Sequence, residues 1–325
     1  MFSRPLRQTF TLLAAAALSV TTLSACGSSD AVEAGAAGDE LKGTKYIIGS
    51  KDFTENIVLG KIAVHLLKAH GAEVVDKTNL GGTVPNRKAL ESKEIDMYWD
   101  YSGTGWIEFL KNTKPIQDSA EQFKATAEAD LEKNKIRWIG PTPLNNTYAL
   151  AIRSEKATEL GVKTVSDVAE LAKTNPKEVT ICIETEFSTR DDGLPGLSKA
   201  YEMDIPKDNI SLLDTGVVYT ETDKGETCNF GEVFTTDGRI AALDLTVLED
   251  DKKFFPIYNA AMTLRDETYQ KNPAIEKVLQ PVIAKLDDAT MQQLNAQVDV
   301  EGMEPGKVAS DWLDKQGFLG SDEAA

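Results

Sequence analysis

Residues 45–67 read KYIIGSKDFTENIVLGKIAVHLL, and this stretch decides the fold class. Lys45 to Ser50 is a short apolar run that ends in Gly-Ser, which is typical of a strand followed by a turn. Thr54 then offers a side-chain oxygen that can cap a helix. The apolar residues that follow fall at helical spacing: Ile57, Val58, Ile62, Leu66 and Leu67. The stretch therefore predicts one strand followed by one amphipathic helix.

The same alternation continues along the rest of the chain. Further strands are predicted over 73–76, 95–99, 148–152, 179–183 and 241–247, and further helices over 84–92, 119–134 and 166–173. From Pro273 onward the pattern is helical again, and Pro281 is expected to interrupt it. This alternation predicts an α/β fold with mostly parallel sheets. A chain of 325 residues is long enough for two such domains.

The composition excludes several classes of protein. Hydrophobic residues make up 41% of the chain, which is too many for a disordered protein, and the body holds no apolar run long enough for a transmembrane helix. The formal net charge of −17 argues against nucleic acid as a partner and against binding to anionic lipid through basic side chains. The two histidines, His65 and His70, lie five apart on one predicted helix and do not share a face, so they are not expected to hold a metal ion together.

The N-terminal residues are predicted to direct the chain out of the cytoplasm. Arg4 and Arg7 precede an Ala-rich apolar run, and Leu-Ser-Ala then leads into Cys26. This pattern predicts a signal peptide over residues 1–25. Its Leu-Ser-Ala-Cys ending resembles the lipobox of bacterial lipoproteins, which implies a lipid-modified Cys26. The alternative is a plain signal peptide with an incidental cysteine.

The segment after this cysteine is expected to be a spacer. Residues 26–43 are small, acidic and non-periodic, which predicts a flexible tether between a lipid anchor and the folded body. The expected location is therefore the cell envelope, outside the cytoplasm, with the membrane as a partner through the N-terminal lipid.

Export also changes the interpretation of the remaining cysteines. Cys182 and Cys228 are expected to form a disulfide bond, because thiols outside the cytoplasm are usually oxidised. Such a bond closes a loop of 46 residues, for which the chain-entropy model gives about 4 kcal/mol of stabilisation. The alternative is one buried and one exposed free thiol. Zinc is not expected at two cysteines without a nearby histidine.

The sequence contains little that indicates catalysis. It has no G-x-S-x-G, P-loop, G-x-G-x-x-G or H-E-x-x-H motif, and nothing with EF-hand spacing. Acidic runs such as Glu249-Asp250-Asp251 are more simply interpreted as solvated loops in a chain with 52 acidic residues. No catalytic residue, cofactor or metal ion is therefore predicted, and an enzyme is not expected.

Aromatic residues gather near the predicted strand ends. Tyr101 lies in a turn beside Gly103 and Thr104, Tyr148 leads into a strand, and Tyr258 follows an acidic loop. Such clusters are most often core, but loops at strand ends also carry ligand sites. Several rings that face one another form a box for a quaternary ammonium group by cation–π attraction.

An ordered set of short motifs resembles the substrate-binding proteins of ABC importers for glycine betaine, choline and carnitine. The motifs run in order from about residue 45 to 319, and the set is specific although each piece is weak. Among them are GSKDFTE (49–55), YSGT (101–104), NNTY (145–148), RDDGLPGL (190–197), TTDGRI (235–240) and FPIYNAA (255–261).

The resemblance implies a bilobed periplasmic-binding-protein fold of type II, the Venus-flytrap arrangement, with two α/β lobes. Lobe I would comprise 44–146 and 257–325, and lobe II 147–256. The two crossovers between them would form the hinge, and the ligand would be bound between the lobes.

The resemblance also implies the residues of the site. Tyr101, Tyr148 and Tyr258 would form three walls of an aromatic box, and Phe234 a fourth, at a position where the family commonly has Tyr. Its ring keeps a π face but lacks the hydroxyl. The resemblance also implies that Lys51 and Arg190 bind a carboxylate of the ligand. Thr104 would offer its hydroxyl to the ligand, and Asn146 would offer its backbone carbonyl to the positive group. Without the resemblance, Lys51 and Arg190 would be interpreted as surface ion pairs.

The function implied is capture of a quaternary ammonium solute by a monomeric receptor that delivers it to ABC permease subunits. Lys51 and Arg190 together favour a carboxylate-bearing ligand such as glycine betaine or carnitine over choline. Binding of choline, ectoine or another small osmolyte is an alternative, and a cell-envelope hydrolase is a further one. The hydrolase lacks a recognisable nucleophile–base pair in this sequence.

Overall fold

The computed structural model describes residues 37–320. The strands of this part are β1 (Lys45–Gly49), β2 (Glu73–Lys77), β3 (Met97–Tyr101), β4 (Ile136–Ile139), β5 (Tyr148–Arg153), β6 (Ile181–Ile183), β7 (Ile210–Leu212), β8 (Phe230–Phe234), β9 (Leu245–Val247) and β10 (Ala260–Arg265). They form two sheets of five strands each, in the orders β2-β1-β3-β10-β4 and β7-β6-β8-β5-β9.

Helices cover these sheets. They are α1 (Thr54–Ala69), α2 (Thr83–Glu91), α3 (Ser102–Thr104), α4 (Ser119–Asn134), α5 (Ser154–Leu160), α6 (Val165–Thr174), α7 (Leu194–Tyr201), α8 (Thr215–Lys224), α9 (Arg239–Ala242), α10 (Asp266–Lys271), α11 (Ala274–Ile283), α12 (Asp288–Asp299) and α13 (Pro305–Lys315). A π-helical turn (Gly105–Phe109) and two 3₁₀ turns (Pro176–Glu178 and Lys207–Asn209) complete the elements. No helix of the described part is both long and apolar enough to cross a membrane.

The two sheets share one topology. In the first sheet β1 pairs in parallel with β2 and β3, and β10 pairs antiparallel with β3 and β4. In the second sheet β6 pairs in parallel with β7 and β8, and β5 pairs antiparallel with β8 and β9. The antiparallel strand of each sheet is the first strand that the chain enters after crossing from the other sheet. The predicted architecture of two α/β lobes connected by two crossovers is confirmed.

Several local predictions were wrong. Thr54 does not cap α1: it is the first helical residue, and its hydroxyl donates to Asp299 instead, 2.6 Å away. The strand expected over 241–247 is only β9, because Arg239–Ala242 is helical. Pro281 does not interrupt α11, which continues through it to Ile283.

The predicted tether extends too far toward the body. Leu41 is fully buried, and its backbone N–H donates to the His70 carbonyl at 2.9 Å. Glu40 accepts from the ring of the same histidine at 2.8 Å. Residues 37–43 are therefore packed against the end of α1, because one apolar side chain in this polar segment is buried in the core. The predicted signal peptide, Cys26 and residues 26–36 of the tether lie outside the described residues.

A disulfide bond joins Cys182 on β6 to Cys228, just before β8, with an S–S distance of 2.03 Å. Both cysteines are buried, and Val218 of α8 packs beside them. The bond thus links β6 to the segment that leads into β8, its neighbour in the second sheet. Residues of the candidate site described below lie on β8 and in the loop after β6.

We expect removal of this bond to destabilise the protein without changing its fold. The loop it closes spans 46 residues, so the Cys182→Ala/Cys228→Ala variant should lose about 2–4 kcal/mol of unfolding free energy. Denaturant unfolding measures this loss. A reductant should lower the wild type to a similar stability and leave the variant unchanged; equal stability of the oxidised wild type and the variant would contradict the prediction.

Candidate ligand-binding site

The candidate site lies where the strand ends of both sheets meet. Lys51 follows β1, Tyr101 ends β3 and Phe234 ends β8, each at the carboxyl end of its strand. Tyr148 begins β5 and Tyr258 lies just before β10, and both of these strands run antiparallel to their neighbours. All five side chains therefore come from the same edge of the two sheets, which is where α/β proteins place their ligands.

A cavity occupies this edge of the two sheets. Its lining includes all eight residues proposed from the sequence: Lys51, Tyr101, Thr104, Asn146, Tyr148, Arg190, Phe234 and Tyr258. It also includes six others: Asp52, Phe53, Gly82, Thr83, Glu184 and Glu186. Residues from both sheets thus meet around one space, and the role of each in ligand binding stays a prediction.

Aromatic rings form one continuous wall of the cavity. Phe53 lies 6.0 Å from Tyr101 and 5.0 Å from Phe234, measured between ring centroids. Phe234 lies 5.2 Å from Tyr148, which meets the ring of Tyr258 edge-on at 5.6 Å. Adjacent rings touch one another, so a ligand would meet the faces of this wall rather than enter between two neighbours. We call these five rings the aromatic wall.

Buried carboxylates hold two rings of the wall in place. The hydroxyl of Tyr101 donates to Glu55 at 2.8 Å, and that of Tyr258 donates to Asp192 at 2.7 Å. Tyr148 is fixed differently, because Phe187 packs behind it at 5.0 Å between centroids. The orientation of the wall is therefore set by hydrogen bonds at its two ends and by apolar packing in its middle.

Glu55 links several parts of the chain. Besides Tyr101, its carboxylate accepts from Asn146 at 2.9 Å, from the hydroxyl of Thr236 at 2.5 Å and from Asn295 of α12 at 3.3 Å. Burial raises the pKa of Glu55, and these hydrogen bonds oppose that rise. Thr236 follows β8 of the second sheet, whereas Glu55 belongs to α1 beside the first, so this carboxylate bridges the two halves.

Both cations of the site are already paired with carboxylates of the protein. Lys51 forms an ion pair with buried Asp100 at 2.8 Å. Arg190 donates from Nε and Nη2 to Asp192, both at 2.6 Å, and from Nη1 to Glu186 at 2.8 Å. Lys51 and Arg190 can therefore bind a ligand carboxylate only through N–H donors that these protein carboxylates do not occupy.

Acidic side chains outnumber basic ones in the lining. Burial alone would raise the pKa of Glu186, but the charges of Lys51 and Arg190 and the hydrogen bonding from Thr83 together outweigh it and lower the pKa to about 2. Burial, together with the negative charges of Glu186 and Asp52, raises the pKa of Glu184 to about 7. Glu184 is therefore only partly ionised at neutral pH, and the lining combines ring faces with a small excess of negative charge, which is an environment suited to a cation. Among the described residues no group of three or more His, Cys, Asp or Glu is placed to hold a metal ion.

Sequence reasoning missed three important lining residues. Phe53 stands inside the GSKDFTE motif, two residues after Lys51, and that position could have identified it. Glu186 and its backbone partner Thr83 are 103 residues apart, and nothing in the local sequence of either indicates the contact.

Known proteins resemble this chain over most of its length. The model for the substrate-binding domain of ABC-type glycine betaine transport systems matches residues 44–315. A glycine-betaine-binding protein of Pseudomonas aeruginosa is 39% identical over 282 residues, covering 85% of this chain and 89% of the relative. An ergothioneine transport permease/ergothioneine binding protein of Helicobacter pylori, EgtU, is 34% identical over 273 residues, covering 84% of this chain and 48% of the relative.

A solved structure supports the same conclusion about the fold. The ligand-free YehZ protein of Escherichia coli superimposes with a TM-score of 0.62 at 34% identity, over 85% of this chain and 99% of that one. The type II bilobed fold expected from the sequence is thereby confirmed.

The raised pKa of Glu184 predicts a pH dependence of stability. The unfolded carboxyl titrates near 4.5 and the folded one near 7, so between these values only the folded form holds the proton. The free energy of unfolding should therefore fall as pH rises through this window, by about 1–3 kcal/mol from this group. Glu184→Gln should remove that part of the fall.

Denaturant unfolding at pH 5 and pH 8 measures this difference. The matched control is Glu301→Gln, which changes an exposed glutamate outside the cavity lining. The assignment is wrong if Glu184→Gln and Glu301→Gln lose equal stability between the two pH values.

Proposed function

The chain belongs to the family of substrate-binding domains of ABC-type glycine betaine transport systems, and from this premise we propose that it captures a quaternary ammonium solute between its two lobes. It then delivers the solute to ABC permease subunits. The proposed class of ligand is glycine betaine and related trimethylammonium compounds.

The aromatic wall is the observation that carries the proposal. A trimethylammonium group donates no conventional hydrogen bond, so ring faces suit it, and each desolvated ring contributes about 0.5–2 kcal/mol. Several such contacts supply much of the roughly −8 kcal/mol that micromolar binding requires. The acidic excess around the wall adds long-range attraction for the cationic group.

The proposed hinge is formed by the two segments that cross between the sheets. The backbone N–H of Asn146 donates to the Tyr258 carbonyl at 3.2 Å, and the N–H of Tyr258 donates to the Asn145 side chain at 2.8 Å. The two crossings are thus bonded to each other next to the cavity. We place the boundaries at 146/147 and 256/257, with lobe I over 44–146 and 257–325 and lobe II over 147–256.

The proposed setting is the outer face of a cell membrane. The signal peptide over 1–25 and lipid attachment at Cys26 would keep a monomeric receptor close to its permease. The proposed role is binding without turnover, since the homologues are transport proteins rather than enzymes.

The decisive experiment is calorimetric titration of the protein with glycine betaine, carnitine, choline, ergothioneine, ectoine and proline. We expect saturable one-to-one binding of at least one trimethylammonium compound, and its recovery unchanged after incubation. Absence of binding across the panel, or chemical conversion of a bound compound, would contradict the proposal.

Phe234→Leu tests the aromatic wall. Leucine keeps an apolar side chain of similar bulk but has no π face, so affinity for the bound trimethylammonium compound should fall about 5- to 30-fold. Phe230→Leu is the matched control, because Phe230 lies buried on the same strand but outside the cavity lining. The control should lose stability and keep its affinity; equal losses of affinity in the two variants would overturn the assignment.

A further inference from the structure

Glu186 crosses the cavity from one half of the protein to the other. It lies in the loop after β6 of the second sheet, and its Oε2 accepts from the backbone N–H of Thr83, 3.0 Å away, at the start of α2 beside the first sheet. A Cβ atom on Gly82 would lie only 2.5 Å from this oxygen, so a side chain there would hinder the approach of the carboxylate. Helix N-termini attract carboxylates because their N–H groups have no partner within the helix.

The second oxygen of Glu186 completes the hydrogen bonding of Arg190. A guanidinium has five N–H donors. Asp192 accepts two of them, Glu186 one at 2.8 Å, and the hydroxyls of Thr83 and Thr104 take the remaining two at 3.4 and 3.5 Å. A ligand carboxylate therefore finds no free donor on Arg190 unless one of these acceptors leaves.

Glu186 is the carboxylate that can leave. Asp192 is 2% exposed and also holds the hydroxyl of Tyr258, whereas the side chain of Glu186 is 32% exposed. The cavity also connects to a wider opening lined by Glu186 together with Glu184 and Asp214. If Glu186 turns toward this opening, Arg190 remains paired with Asp192.

We propose that Glu186 is a specificity-determining residue: its carboxylate occupies the place between Arg190 and the start of α2 that a ligand carboxylate would take. A ligand such as glycine betaine must displace it, and a ligand such as choline, which has the same cationic group and no carboxylate, need not. This inference rests on the proposed function. It identifies the Glu186 carboxylate as the group that distinguishes ligands with a carboxylate from ligands without one.

The negative charge of Glu186 should affect the binding affinities for glycine betaine and for choline in opposite directions. For glycine betaine, the gain from its own carboxylate contacts is offset by the loss of those of Glu186, and the displaced charge remains nearby. For choline, the negative charge of Glu186 attracts the ligand. The lowered pKa of Glu186 keeps that charge in place at neutral pH.

Glu186→Gln tests the inference by calorimetric titration with glycine betaine and choline. An amide has no charge and only one acceptor oxygen, so it cannot keep the present arrangement in which one oxygen accepts from Arg190 and the other from the Thr83 N–H. We expect affinity for glycine betaine to rise at least about tenfold and affinity for choline to stay equal or fall.

Asp214→Asn is the comparison variant. Asp214 is exposed and lines the wider opening beside Glu186, but it lies outside the cavity lining. Its substitution takes away one negative charge near Glu186 without vacating the proposed place. Affinity for glycine betaine should then change by less than about threefold, because the net charge of that ligand is zero.

The outcomes separate this inference from the proposed function. Binding of both ligands with an unchanged or lower glycine betaine affinity in Glu186→Gln overturns the inference and leaves the function standing. A tenfold rise in both Glu186→Gln and Asp214→Asn also overturns it, because general charge then explains the effect. Absence of binding by the wild type and all variants overturns both. A melting curve checks folding, and Glu186→Ala is assessed by the same criteria if the glutamine variant does not fold.

Discussion

Charge buried between the two sheets must be paired, and the arrangement of the cavity depends on this constraint. Taking an ion out of water costs several kcal/mol unless a partner compensates. Lys51 therefore lies against Asp100, and Arg190 against Asp192. Because these carboxylates are buried and hydrogen bonded, they also supply fixed acceptors, and the hydroxyl of Tyr258 is oriented by one of them. Charge compensation and the positions of the rings are thus two results of the same contacts.

The alternation of strands and helices was predictable because it depends on spacing within short segments. The stretch over 45–67 became β1 and α1 with a shift of a residue or two at each end. The eight residues proposed for the site also lie around one cavity. Most of their motifs lie at strand ends, and the sheet topology brings strand ends to one edge whatever lies between them in sequence.

What the sequence could not supply were contacts between distant segments. Thr54 has the side chain of a helix cap, but Asp299, 245 residues away, accepts its hydroxyl instead. Leu41 is an apolar residue in a polar segment, and its burial depends on the hydrophobic core around α1, which is distant in sequence. The contact of Glu186 with the start of α2 belongs to the same class, and it changes the picture of Arg190 from a free cation to a fully hydrogen-bonded one.

The shared carboxylate of Glu55 has a consequence for how this protein can diversify. The same two oxygens accept from Tyr101, which faces the cavity, and from Thr236, which belongs to the other half. A substitution that reshapes the ring wall at Tyr101 also changes the surroundings of a hydrogen bond between the halves. The shape of the wall and this contact between the halves are therefore coupled through one buried side chain, and a change in one affects the other.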